Sequence, residues 1–316
     1  MRFFSRKNKA SGLMTISLSN EGIYVACLKH KADAMPVLEY AGFYPKAENT
    51  WPVLLERLGK ESPAKNFQCS LLLSFDEYQL FSVEALNVPP EELKSAMRWR
   101  LKDMLDYHID DATIDVLNVP GDISAGGRGH SLLAVAARNK LIEERQTLFA
   151  NAKLALGIID IPDMAQRNIS ALLEPQGRGL ALLSFDENGG LLTVTFSGEL
   201  YLSRRLDIKL AQFESNDEDK KMALFERITL ELQRSLDNFD RQHNFITTAK
   251  LVLAPLGEIA AQLQAYLASN MYMPVELLNL ENLLDLSKVP ELKDIARQRA
   301  FFMTIGAALR QEESLL

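Results

Sequence analysis

One internal echo constrains this chain more than any other feature. Residues 13–28 read LMTISLSNEGIYVACL, and residues 180–196 read LALLSFDENGGLLTVTF. Each is an alternating apolar run, then a polar turn containing Asn and Gly, then a second apolar run, which is the pattern of a β-hairpin. The echo occurs once, so a solenoid of many short repeats is excluded. It predicts two similar α/β domains, each opening on a hairpin. A length of 316 residues suits two domains of ordinary size. Pro175-Gln176-Gly177-Arg178-Gly179 is rich in turn formers and marks the natural boundary.

Helical and strand periods alternate through both halves. In the first, residues 12–43 read as two or three strands, 51–58 as a helix, 68–74 as a buried strand and 78–86 as another strand. Pro89-Pro90-Glu91-Glu92 opens a helix expected to run to about Tyr107, because acids in a first turn complement the helix dipole. Its apolar stripe is Leu93, Met97, Leu101, Met104 and Leu105. Strands follow at 112–119 and 131–137, separated by a glycine-rich turn at 121–129, then a helix at 140–152, a strand at 155–161 and a helix from Pro162 to about Leu173. In the second half, strands at 180–185, 191–196 and 200–206 precede a charged stretch, 215–221, that leads into a long amphipathic helix ending near His243. A strand at 250–253, a helix at 258–269, a strand at 275–278 and a helix at 296–310 complete the pattern. The organisation read from this is a basic tail over 1–11, a first domain over 12–175 with an inserted subdomain over about 78–156, and a second domain over 179–316.

Charge and composition narrow the function. The formal net charge is −7, which opposes a chain whose main task is wrapping nucleic acid, because phosphate contacts need a clustered positive field. The two cysteines, Cys27 and Cys69, sit in strand-like apolar runs and read as buried thiols. His30, His108, His130 and His243 are far apart, and none has a second ligand at helical or zinc-finger spacing, so no metal is expected. No stretch approaches the length of a membrane-spanning helix. The first residues carry Arg2, Arg6, Lys7 and Lys9 beside Phe3 and Phe4 without the apolar segment of a signal peptide. They read as a solvated tail, with contact to an anionic membrane as the other reading. A cytoplasmic location is expected.

Four stretches carry a resemblance. The first is residues 86–119, a proline–acid helix followed by a strand entry with Tyr107, Ile109, Asp110 and Asp115. The second is Ile159-Asp160-Ile161-Pro162-Asp163-Met164-Ala165. The third is Glu231-Leu232-Gln233-Arg234-Ser235-Leu236-Asp237-Asn238-Phe239. The fourth is Ile305-Gly306-Ala307-Ala308-Leu309-Arg310. In order and spacing they resemble the PilM-like, actin-like proteins of type IV pilus assembly, and within them the MshI-type members of MSHA pilus biogenesis. The cytoplasmic part of GspL-type secretion proteins is a more distant likeness. The resemblance implies a two-domain actin-like (ASKHA, ribonuclease H-like) fold with an inserted subdomain in the first domain.

It also implies a nucleotide site, whose positions this sequence fills unusually. The family's two phosphate hairpins carry an Asp for the Mg²⁺ water shell and a Gly for backbone approach. Here those positions fall on Ser17 and Ser19 in the first hairpin, ahead of Gly22, and on Ser184 and Asp186 in the second. The adenosine turn falls on Pro255-Leu256-Gly257, with Pro and Leu where glycines belong. Serine brings no charge to a hard cation, and Asp186 sets a carboxylate where a phosphate would approach, a clash of about 4 kcal/mol at ~4 Å. Pro255 lacks an amide donor and Leu256 fills space. The expectation is an actin-like fold with a degenerate nucleotide site, no cofactor and no metal. A working actin-like ATPase that binds MgATP and gates assembly is the alternative; a sugar kinase lacks its acidic base and phosphate-loop glycines. The loops also read as plain hairpin turns, or, with Asp186, Glu187 and Glu21 meeting across a cleft, as a rearranged metal site.

What the family implies in place of chemistry is a scaffold. The expected partner is the N-terminal cytoplasmic peptide of a bitopic inner-membrane protein of the PilN or MshJ type, held in a groove at the inserted subdomain. That tie would place the chain peripherally at the inner membrane, on the pilus assembly platform. The candidate wall is Met97, Leu101 and Met104 with Arg98 and Arg100, the alternative for the Met and Leu positions being plain core. Trp99 lies off that stripe by about 100–200° and is expected to be exposed as an anchor.

Overall fold

The computed structural model describes residues 13–31, 34–61, 67–84, 88–121, 131–215 and 217–311. The basic tail and most of the glycine-rich turn lie outside these described residues. In the first lobe β1 (Leu13–Leu18), β2 (Gly22–Lys31) and β3 (Ala34–Pro45) form an antiparallel meander. After α1 (Trp51–Glu61), β4 (Gln68–Leu72) joins β1 in parallel, and β8 (Leu156–Asp160) joins β4 in parallel. The strand order is β3-β2-β1-β4-β8.

The second lobe repeats it. β9 (Gly179–Phe185), β10 (Gly190–Phe196) and β11 (Glu199–Leu206) form the meander, α5 (Glu218–Gln242) follows, and β12 (Thr248–Leu253) and β13 (Val275–Leu277) extend the sheet in parallel, giving the order β11-β10-β9-β12-β13. The two orders match strand for strand, with α6 (Ala260–Asn270) standing where α3 (Asn139–Asn151) stands in the first lobe. α5 forms because Leu224, Ile228, Leu232, Leu236 and Phe239 recur on one buried face, and Asp217 caps it by accepting from the amides of Asp219 and Lys220.

Between β4 and α3 the chain inserts a third sheet. β5 (Tyr78–Glu84), β6 (Ala112–Val119) and β7 (Ser131–Arg138) lie in the order β5-β7-β6. Strand alternation divides its side chains: Phe81, Val83, Leu132, Ala134, Ile114 and Val116 meet α2 (Pro90–Leu101), while Leu80, Leu117, Val119 and Leu133 pack toward the second lobe. α2 stops at Leu101, a turn and a half before the expected Tyr107. Arg98 donates to the carbonyls of Ile109 and Ala112, which folds the following chain back over the helix end.

The lobes are joined by exchanged helices. α4 (Pro162–Ala171) leaves the first lobe and packs on β9–β11; α7 (Ile295–Ala308) leaves the second and packs on β1, β2 and β4. They cross where Asn168 donates to the Gly306 carbonyl at 2.9 Å. The segment between β13 and α7, residues 278–294, adds a further tie: the Leu38 amide donates to the Asp285 carbonyl (3.1 Å), and the Asp285 amide donates to the Pro36 carbonyl (2.9 Å).

Cys27 and Cys69 flank Met14 on β2 and β4, both fully buried. Burial pushes their thiols up to about 12 and about 11 respectively. Native protein at pH 8 is therefore expected to leave both unlabelled by an aromatic disulfide reagent, with labelling of both on denaturation. Rapid native labelling would contradict the buried placement.

Candidate functional site

The two hairpin tips face each other across the cleft between the lobes. In the first, the Ser19 hydroxyl accepts from the Gly22 amide (3.1 Å) and donates to the Gly22 carbonyl (3.0 Å), and the Ser19 amide donates to that same carbonyl. In the second, at the matching place, the Asp186 carboxylate accepts from the amides of Asn188 (2.7 Å) and Gly189 (3.1 Å), and the Asp186 amide donates to the Gly189 carbonyl. So each tip turns one of its own side chains onto the backbone N–H groups that an anion would need. Burial raises the Asp186 carboxyl above the usual range, and the two turn amides pull it back.

Ser184 and Leu256, at two of the neighbouring positions, are committed elsewhere. Ser184 is buried and donates to Gln166 Oε1 at 2.5 Å, on the side of α4. Ser17 sits on β1 opposite Tyr24, partly exposed. Pro255 is buried, and Leu256, 4% exposed, belongs to the second lobe's main core. Gly257 takes a left-handed φ of 90°, which glycine adopts without strain, and turns the chain past Arg299. Beside this loop is a pocket of about 330 Å³ whose walls include Phe213, Lys221, Leu256, Gln262 and Arg299.

Glu21 and Glu187 do approach across the cleft. Burial and then the Glu21 charge raise the Glu187 carboxyl, and Tyr24, which donates to Glu21 at 3.3 Å, is pushed up to about 12, mainly by burial. Asp186 is not part of a ligand set with them, since its carboxylate is spent on its own turn. Among the described residues no three His, Cys, Asp or Glu side chains gather as a metal site, and no helix is long and apolar enough to cross a membrane.

The α2 wall divides. Met97 and Leu101 are 0% exposed, sealed against the third sheet, so they offer nothing to a partner; this corrects their placement on a groove. A stripe at helical spacing looks the same whether its own sheet or a second protein covers it. Arg98 is occupied by Ile109, Ala112 and Asp110. Trp99 is 76% exposed with Lys102 over its ring, and Met104 is 44% exposed; Trp99 stands on the outer side of α2, away from the cleft.

A further groove lies on the other face of the third sheet. It has a volume of about 950 Å³ and runs between β5 and β11. Asp163, buried at the start of α4, accepts from the hydroxyls of Tyr78 on β5 and Ser203 on β11. The Arg205 guanidinium stacks on the rings of Phe75 and Tyr78 and donates to the Phe75 carbonyl. Periodicity does not mark the β5 and β11 side of this groove, because sheet order alone makes those strands edges.

No protein-family model matches the chain, and no curated protein does. Solved structures match nearly its whole length. The "PilM-PilN type IV pilus biogenesis complex" aligns at TM-score 0.70 and 17% identity, covering 95% of this chain and 98% of that one. The cytoplasmic domain of EpsL, an inner-membrane component of the type II secretion system of Vibrio cholerae, aligns at 0.53 and 14%, covering 97% and 98%. A Bacteroides thetaiotaomicron protein with an actin-like ATPase fold aligns at 0.52 and 9%, covering 93% and 99%. The chain has the two-domain actin-like fold.

Proposed function

We propose that this chain is a non-catalytic adaptor of type IV pilus assembly, most like the MshI type, at the cytoplasmic side of the inner membrane. It holds the N-terminal cytoplasmic tail of a bitopic PilN- or MshJ-like protein, and its actin-like lobes serve as the frame. The observation that carries the non-catalytic part is the matched pair of self-capped hairpins, Ser19 on Gly22 and Asp186 on Asn188 and Gly189. A triphosphate would need those amides, and the carboxylate already on them repels it. Ser184, turned to Gln166, brings no charge to a magnesium ion, and Leu256 is core. The residues present do not fit MgATP. The similarity in fold to PilM supports the adaptor part.

Titration with a fluorescent ATP analogue and Mg²⁺ tests the first half. No saturable binding is expected, and a dissociation constant tighter than about 10 μM would restore the ATPase reading, with Lys221 and Arg299 of the neighbouring pocket as the first cations to examine. Co-purification with the PilN-like protein, unchanged by nucleotide, tests the second.

A further inference from the structure

The tip of the second hairpin carries a chemically fragile pair. Asn188-Gly189 is the one Asn-Gly dipeptide among the 316 residues, and Asn188 is exposed. In such a pair the glycine nitrogen reaches the asparagine side-chain amide easily, because no Cβ shields it. The Gly189 N–H proton leaves, a bond forms from that nitrogen to Asn188 Cγ, and the side-chain nitrogen departs as ammonia. Water then opens the five-membered imide, which leaves aspartate or isoaspartate at residue 188. The first hairpin has Glu21-Gly22 at the matching place and holds no amide there to lose. The second hairpin is also unable to give up its glycine: a Cβ on Gly189 would lie 2.7 Å from the Leu206 carbonyl oxygen, a backbone atom of the paired strand.

Asp186 bears directly on this chemistry. Its carboxylate accepts from the Gly189 amide at 3.1 Å and from the Asn188 amide at 2.7 Å. The proton that must leave is therefore held on an anion, and the amide anion left by its departure would stand beside that charge. The Asp186 amide in turn donates to the Gly189 carbonyl at 2.9 Å, so the peptide unit that would have to swing toward Asn188 Cγ is tied on both sides. We propose that Asn188 is a deamidation site and that Asp186 is the positioning residue that keeps it closed in the folded chain. The inference is independent of the adaptor reading. Its product changes the cleft: aspartate adds a carboxylate beside Glu187, and isoaspartate adds a backbone carbon to the turn that joins β9 and β10.

The test incubates the full chain at mildly alkaline pH and follows residue 188 by peptide mass mapping, with isoaspartate counted by enzymatic methylation. In urea, Asn188 of the unfolded wild type is expected to be the first asparagine lost; if it outlasts the others, the site itself is overturned. Folded wild type is expected to lose it at least about tenfold more slowly, and folded Asp186→Ala about tenfold faster than folded wild type, the factor that one hydrogen bond to a charged group is worth. Unfolded, the two chains are expected to react alike. Asp186→Asn, whose side-chain oxygen still accepts both amides, is expected to keep most of the protection. Ser184→Ala, which frees the same hairpin from Gln166 without touching the turn, is expected to react as folded wild type does. Equal acceleration in Ser184→Ala would assign the effect to a loosened hairpin and overturn the role of Asp186. An unchanged rate in folded Asp186→Ala overturns it as well, and a slower one would make the carboxylate the base that takes the proton.

Discussion

A Gly306→Val variant is expected to lose about 3 kcal/mol of stability and to melt about 6–12 °C lower than the wild type. Gly306 lies within α7 at its crossing with α4. A Cβ there would sit 2.4 Å from the Ala165 carbonyl oxygen, 2.8 Å from its carbon and 3.1 Å from Ile169 Cδ1. The first two are backbone, so no side chain can swing aside. Glycine inside a helix costs roughly 1 kcal/mol against alanine, and close approach of the two helices is the compensation. Each helix is the cover of the other lobe's sheet, so separating them disturbs both cores. Gly306→Ala separates the two terms: propensity alone would raise its stability, whereas the crossing lowers it. A Gly306→Ala chain as stable as the wild type in urea would remove the argument.

The hairpin echo was legible because strands leave a period of two and turns leave Asn and Gly, and both are local. Ser19 and Asp186 were legible as turn residues at matching places in the repeat, and the geometry adds what the sequence could not: that their side chains point at the amides rather than outward. Three things were not local. The end of α2 depends on Arg98 reaching Ile109 and Ala112. Met97 and Leu101 depend on a sheet whose strands lie on either side of α2 in sequence. The exchange of α4 and α7 is invisible to periodicity, because an amphipathic helix does not state which sheet it covers. One signal was available and unread. Gln166 interrupts the apolar face of α4 set by Ala165 and Ile169, and a buried amide in such a place implies acceptors opposite.

Those acceptors define the second large effect. Gln166 Nε2 faces the Leu182 carbonyl at 2.8 Å, the Leu191 carbonyl at 3.1 Å and Thr193 Oγ1 at 2.9 Å, while its Oε1 takes the Ser184 hydroxyl. One side chain from the first lobe thus meets polar groups on both strands of the β9–β10 hairpin of the second. Gln166→Leu keeps the volume and strips the bonds. The amide has two N–H donors, shared among the three acceptors, and one accepting oxygen, so at roughly 1 kcal/mol for each of three bonds lost it is expected to cost about 3 kcal/mol. Gln166→Glu gives the sharper reading. Its carboxyl would face carbonyl oxygens in a buried place, so its folded pKa lies above the unfolded value of about 4.3. The stability it retains is present below the unfolded pKa and is lost as pH rises through the folded one. The deficit of Gln166→Glu relative to wild type, measured by urea unfolding, is therefore expected to widen between pH 4.5 and 7.5, while that of Gln166→Leu stays flat. A Gln166→Glu deficit that narrows with rising pH would mean that the carbonyls do not face this side chain, and that α4 is not docked on the second lobe through it.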